Sequence, residues 1–312
     1  MLEWKKDWWK ALICLAPMVI LMGIFTFYPI FNTIYSSFRY YEKHIISPGN
    51  IYYELSGGGF AEYGKVFGDY KFWRSIGVTA LLAIISVPIS IGTSLLISVL
   101  LCKCKRLKGV FQTIFFLPYV TNGIAFGMVF ASIFASNGLV NALFRTTINW
   151  IGDKGGMNNT VAFWAGIFVI VIHSVWNGLA FKILVFVGGI EGINKQYYQA
   201  AELDGASRWR VFRKITLPLL SPMVLYISIT SLIGALKAYA SIVSIYGETM
   251  GNGSDETFMT AVGYIYSSFN TVTGANQIQM LPKACASAVV LFIFIMIITG
   301  FQMLYNKRRV HY

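Results

Sequence analysis

The chain has 312 residues, of which 56% are hydrophobic and only 12% charged, and its mean hydropathy is +0.62. So much apolar surface cannot be hidden in a water-soluble core, so lipid must cover part of it. The net charge of +12 does not indicate nucleic acid: the basic residues gather at Lys5/Lys6/Lys10, Lys103/Lys105/Arg106/Lys108, Arg208–Lys214 and Lys307/Arg308/Arg309, each beside an apolar run, as in cytoplasmic loops of a membrane protein.

In chain order, residues 1–10 form a lysine-bearing N-terminus ending in Trp8, Trp9 and Lys10. Residues 11–38 are a first transmembrane helix that contains Pro17 and Pro29. The run is too long for a signal-peptide core, and no small-residue cleavage site follows it, so it is read as uncleaved with its N-terminus inside. Residues 39–74 are then an external segment. Within it, Gly59, Gly64 and Lys65 match the first seven positions of a nucleotide-binding P-loop, but Val66 stands where a magnesium-binding hydroxyl is needed. No strand–loop–helix context is expected there, and the match is rejected.

A second span covers Ser75 to Leu101, with Pro88 inside it and Ser86, Ser90 and Ser94 on one stripe. Small residues four apart let helices approach closely. The third span, Gly109 to Ala135, carries Gly123 and Gly127, a GxxxG spacing read only as packing. The fourth, Thr160 to Gly189, is unusually polar and aromatic in its middle, from His173 through Trp176 and Asn177 to Lys182. Intramembrane polar groups face a cavity or a partner helix. Lys182 is placed near the inner end, where it can snorkel to the headgroups.

The fifth span runs from Pro218 to Ile245. Lys237 falls about nineteen residues past Pro218, roughly 28 Å along a helix, which puts it either at the outer boundary or on the wall of a polar cavity. The sixth span is Ala284 to Leu304, followed by Lys307, Arg308 and Arg309. Cys14 and Cys285 lie in apolar runs, and Cys102 and Cys104 flank Lys103 at a basic boundary. With no His or further Cys beside them, the latter read as a reduced pair rather than a metal site.

Between the fourth and fifth spans lies the most polar inter-span stretch, Tyr197–Pro218. Ala200, Ala201, Ala206, Trp209, Phe212 and Ile215 recur at helical spacing among Arg208, Arg210, Arg213 and Lys214. A short helix, a bend at Gly205 and a second short helix ending at Leu217-Pro218 are expected. Such a hairpin either docks into a groove on another protein or lies on the lipid surface.

This stretch resembles the coupling motif of the permease subunits of binding-protein-dependent ABC importers. Gln199-Ala200-Ala201, then Gly205, then Ile215-Thr216-Leu217-Pro218 stand at the motif's spacing, with Asp204-Gly205-Ala206 similar to the carbohydrate branch and its larger maltose-transporter permease. Gln199 departs from the family's Glu, which replaces a possible salt bridge by an amide hydrogen bond. Weaker likenesses follow in order: Tyr63–Trp73, Phe115–Pro118, Asn137–Asn141, Trp150–Asp153, Gly247–Thr257, Gly263–Tyr266 and Phe269.

The resemblance implies an all-α integral membrane protein with six transmembrane helices of the type I ABC importer permease fold and cytoplasmic N- and C-termini. Residues 75–312 would be a five-helix core with the coupling loop at 190–217. It implies a bacterial inner-membrane location, a second permease forming a heterodimer, two cytoplasmic ATPase subunits and an extracytoplasmic solute-binding protein. ATP and magnesium would bind the ATPase, with no cofactor in this chain. Gln199, Ala200, Ala201, Asp204, Gly205, Ala206, Ile215, Leu217 and Pro218 would couple to the ATPase. The positions aligned with the maltose-type substrate pocket are Ser174, Asn177, Gly178, Phe181, Ser231, Ala235 and Lys237. Only Gly178 and Ser231 keep the types expected for maltose, so a maltodextrin is disfavoured. Hydroxyls, an amide and the rings of Trp176, Phe181 and Tyr239 suit a sugar, and Lys237 on the cavity wall would favour an acidic one.

Two other classes fit poorly. A secondary transporter needs an ion-coupling acid in a span, and the six expected spans contain no Asp or Glu. A membrane enzyme needs clustered reactive groups, and His44, His173 and His311 fall in unrelated places. Within the importer reading, a small polar solute such as glycerol phosphate is the alternative to a sugar.

Overall fold

The computed structural model describes residues 8–47, 50–104, 108–148, 150–151, 159–251, 256–270 and 275–307. Lys5, Lys6, Lys105, Arg106, Asp153, residues 252–255, Arg308, Arg309 and His311 of the expectations above lie outside them. Two compact units emerge, the described residues of Met1–Phe72 with Ile265–Ile293 and those of Trp73–Tyr264 with Phe294–Tyr312.

In the first unit, α1 (Trp8–Met22) passes through a π turn, Gly23–Phe27, into α2 (Tyr28–Ser37). The π turn closes where the Tyr28 N–H donates to the Gly23 carbonyl, immediately before Pro29. Proline offers no N–H and its ring crowds the carbonyl four residues back, and a locally widened turn accommodates both without ending the helix. Residues 40–56 are not irregular: β1 (Tyr40–Ser47) pairs antiparallel with β2 (Asn50–Ser56), with a bulge between Ile45 and Ser47. Among the described residues this hairpin holds the only β-strands.

After it comes α3 (Ala61–Phe67). The P-loop-like residues therefore do stand between a strand and a helix, contrary to expectation, but the strand belongs to a hairpin. Gly64 and Lys65 are within the helix, Lys65 pairs with Glu62 at 2.5 Å, and Val66 is fully buried. Ser37 Oγ lies 2.7 Å from the Tyr63 hydroxyl, and Lys283 donates to Asp69 Oδ2 at 2.7 Å.

The second unit is built on α4 (Tyr70–Lys103), α5 (Lys108–Val120), α6 (Gly123–Ile133), α7 (Leu139–Phe144) and α8 (Asn159–Glu191). Then follow α9 (Lys195–Leu203), α10 (Arg208–Val211), a second π turn at Phe212–Thr216, α11 (Leu217–Leu219), α12 (Ser221–Leu236) and α13 (Ala240–Tyr246), while α14 (Ala261–Asn270) and α15 (Ala275–Lys307) each contribute residues to both units. Its apolar core joins Val78 and Leu82 of α4, Ile167, Val169 and Ile170 of α8, Ile242, Ile245 and Tyr246 of α13, with Met250 and Phe258. Helices α6 and α13 touch closely: a β-carbon on Gly127 would lie 1.8 Å from Ser244 Oγ. Gly127 is therefore a true packing glycine, whereas Gly123 has open space.

Among the described residues, four helical segments are long and apolar enough to cross a membrane: Trp9–Ser37, Tyr70–Lys103, Thr160–Glu191 and Leu281–Leu304. A fifth arises if Arg208–Leu219 and Ser221–Leu236, bent by 67°, count as one. The expected third span is instead two short helices, because the Asn122 side chain accepts from the Ile124 N–H at 2.9 Å and starts α6 afresh. The expected fifth span also breaks, at Lys237–Tyr239. There the Ala238 carbonyl takes a 2.7 Å hydrogen bond from the Thr260 hydroxyl, and the Thr79 hydroxyl takes one from the Ala261 N–H at 2.9 Å. A break inside an apolar region persists only when its backbone groups find partners in this way.

One buried polar cluster explains a diffuse motif. Asn141 donates to the carbonyls of Ser136 (2.9 Å) and Ile148 (2.7 Å) and accepts from Thr146 and Trp150 Nε1, each at 3.0 Å. Its amide is used on both sides, and it ties the turn after α6 to the Trp150 segment.

Candidate functional sites

A cavity of about 470 Å³ opens among α4, α5, α8 and α12. On α8, Ser174, Asn177, Gly178 and Phe181 fall three or four residues apart and so share one stripe. On α12, Thr230 and Gly234, and Ser231 and Ala235, repeat at four and face it likewise. Ser86 and Ser90 of α4 and Tyr119 of α5 add to the polar lining, while Leu82 and Ile170 supply apolar wall. Hydroxyls, one amide and two aromatic rings among apolar wall residues form a surface with the groups to hydrogen-bond a polar solute and to pack against its C–H faces.

Six of the nine expected path residues meet here: Ser174, Asn177, Gly178, Phe181, Ser231 and Ala235. Three do not line it. Trp176 is one position off the stripe, about 100° around the helix, and is exposed. Lys237 is exposed just beyond the last residue of α12, where the break turns the chain away. Tyr239 packs against the apolar core instead.

Lys182 is the reverse case. Expected to snorkel, it lines the cavity, donating to Ser90 Oγ at 2.7 Å and to the Gly178 carbonyl at 3.2 Å. The signal was present in the sequence, because Lys182 stands four residues past Gly178 on the same stripe. In the sequence Ser90 reads only as a small residue for packing.

His173 lies off the cavity, 1% exposed, edge-on to the Phe130 ring at 5.1 Å and tilted over Phe126. Neither of its ring nitrogens has a hydrogen-bond partner among the described residues.

The hairpin between α8 and α12 forms the second candidate site. Asn194 caps α9 by accepting from the Gln196 N–H at 3.0 Å. At the other end the Ala206 N–H reaches the Ala201 carbonyl at 2.9 Å and the Gly205 N–H reaches Glu202 at 3.1 Å. That is the two-bond C-terminal cap whose turn residue is left-handed, and Gly205 has φ +66°. Ser207 then caps α10.

Pro218 does not stop the second helix. The Leu217 N–H donates to the Phe212 carbonyl in a π turn, as before Pro29, and the helical path runs on to Leu219 before bending. Leu203 and Trp209 are 90% and 68% exposed, while Ala201 is buried. Gln199, Ala200, Asp204 and Pro218 are exposed, with Ala206, Ile215 and Leu217 half-buried.

The comparisons with known proteins fit this architecture. The family model for the binding-protein-dependent transport system inner membrane component matches residues 94–311. The lactose transport system permease protein LacF of Rhizobium radiobacter is 27% identical over 291 residues, covering 91% of this chain and 88% of its own length. The sn-glycerol-3-phosphate transport system permease protein UgpA of Agrobacterium fabrum is 26% identical over 302 residues, covering 96% and 95%. A crystal structure of a bacterial alginate ABC transporter in complex with an alginate pentasaccharide-bound periplasmic protein contains a chain of the same fold. Its TM-score is 0.75 at 21% identity, covering 97% of this chain and 96% of that one.

Proposed function

Because the chain belongs to the family of binding-protein-dependent transport system inner membrane components, we propose that it forms, with a second permease, the translocation path for a sugar or oligosaccharide, acidic ones included. It is a multi-pass inner-membrane transport subunit rather than an enzyme, as its relatives are. An external solute-binding protein delivers the solute, and two cytoplasmic ATPase subunits, which hold the ATP and magnesium, drive the cycle. The cavity carries this reading: Ser174, Asn177 and Phe181 of α8 and Thr230 and Ser231 of α12 line it, and these are the two helices that flank the exposed hairpin.

In this scheme α5 with α6, and α12 with α13, are the third and fifth of six spans, and both chain ends are cytoplasmic. The hairpin Lys195–Leu219 enters a cleft on the ATPase through Leu203, Trp209 and the small residues around Gly205. ATP-driven closure of the ATPases then moves the hairpin and switches the permease pair between inward- and outward-facing states, two rigid arrangements whose balance each partner biases. Similarity to UgpA favours a second reading, in which the solute is small and phosphorylated, such as glycerol phosphate. ATPase stimulation by binding protein loaded with each candidate solute decides between them. Stimulation by oligosaccharides supports the first reading, stimulation by glycerol phosphate alone supports the second, and no stimulation by any loaded binding protein contradicts both.

A further inference from the structure

Among the described residues that line the cavity, Lys182 alone carries charge, and no carboxylate answers it. Helices α4 and α12 contain no Asp or Glu, and α8 has only Glu191 at its last position. An ammonium has three protons to give; here one goes to Ser90 Oγ and one to the Gly178 carbonyl, both neutral acceptors. A cation held deep in a membrane helix without a counter-ion is costly, and such groups mark solute pathways.

The surroundings fix the ammonium in place. Gly178 leaves room for the lysine to fold back over its own helix, since a β-carbon there would lie 2.6 Å from Nζ. Ser90 is buried and held on α4, whose Ser98 hydroxyl reaches across to the Ile183 carbonyl at 3.2 Å and binds α4 to α8 two turns further on. The lysine tip is thus presented to the cavity by two helices packed against each other.

We infer that Lys182 is the charge-selecting residue of the translocation path, pairing with an anionic group of the solute and resting on Ser90 when the cavity is empty. This rests on the importer reading above. A lysine ammonium is a point charge that accepts either a carboxylate or a phosphate, so the shared chemistry is a sugar-sized polar anion, either a uronate-bearing oligosaccharide or a phosphorylated solute.

The test uses the whole importer, with partner permease, ATPases and binding protein, in sealed vesicles. Uptake of three probes is compared: an oligouronate, a neutral oligosaccharide of the same length, and glycerol phosphate. The quantity read is the ratio of anionic to neutral uptake, which does not depend on how much transporter reaches the membrane. In wild type an anion is preferred, and whether the oligouronate or glycerol phosphate carries the preference identifies its source. Lys182→Met and Lys182→Gln each lower that ratio at least tenfold, and Lys182→Arg keeps it within threefold. A ratio unchanged in both neutral variants overturns the assignment, as does a wild type that prefers the neutral probe. No ATP-dependent uptake of any probe by wild type is a different failure, and overturns the importer reading together with this one.

Discussion

The Tyr198 hydroxyl lies 3.2 Å from Thr216 Oγ1 across the exposed hairpin, joining its first helix to the π turn that leads into α11. The left-handed Gly205 lies between the two helical arms, and under the proposed function they are expected to carry a push on α9 to the start of α12 as one rigid piece.

Gly205 tests that rigidity. Its left-handed backbone costs a side-chain-bearing residue about 1–2 kcal/mol, although no neighbour within the chain would collide with a β-carbon. Gly205→Trp is expected to insert into the membrane normally and to abolish uptake. Gly205→Asn, which tolerates the left-handed turn, retains more uptake than Gly205→Val. Normal uptake by Gly205→Trp contradicts a tight docked role for the turn.

Gly127 against Ser244 tests the packing that holds α13 after the break. A methyl on Gly127 must displace the Ser244 side chain. Gly127→Ala is expected to destabilise the detergent-purified protein by about 1–3 kcal/mol, read as a lowered Tm, and Ser244→Gly in the same chain restores most of it. Additive losses in the double variant argue that the contact does not carry the effect.

Asn141 tests the buried turn cluster. Asn141→Leu leaves Trp150 Nε1 and two backbone carbonyls without their partner, at a cost of about 1–3 kcal/mol for each buried group left unsatisfied. The expected result is faster proteolysis of the turns flanking α7 and a shifted Trp150 fluorescence. Unchanged cleavage would show that water replaces the side chain at no penalty.

The Asp69–Lys283 pair is part-exposed, with side-chain accessibilities near one fifth. A double-mutant cycle with Asp69→Asn and Lys283→Met should give a coupling of about 0.2–1 kcal/mol that shrinks as salt rises. A coupling above about 3 kcal/mol would place the pair in the buried class instead.

Much of this was readable in the residues. The resemblance to the maltose-type permease implies Ser174, Asn177, Gly178, Phe181, Ser231 and Ala235 as pocket positions, and all six line one cavity. What spacing could not supply was pairing between distant elements. Ser90 and Lys182 are separated by 92 positions, so a small residue for packing and a snorkelling lysine remained two unrelated features. Lys237 was projected along an unbroken fifth helix, but that helix ends at Leu236, because Thr260 can satisfy the carbonyl that the break releases. The helix across Pro218 and the β-hairpin at 40–56 were missed for kindred reasons. A π turn absorbs the proline locally, and strand pairing is a relation between segments rather than a property of either.

The central claim, that this chain is a subunit of an ATP-driven importer, is tested most directly by extracting it from native membranes in mild detergent and identifying its companions. A second permease and a P-loop ATPase are expected to accompany it, the ATPase being lost when Gly205 is replaced by Trp. A homogeneous chain without any ATPase, under the gentlest extraction that keeps other membrane complexes intact, would contradict it and leave the hairpin a surface helix.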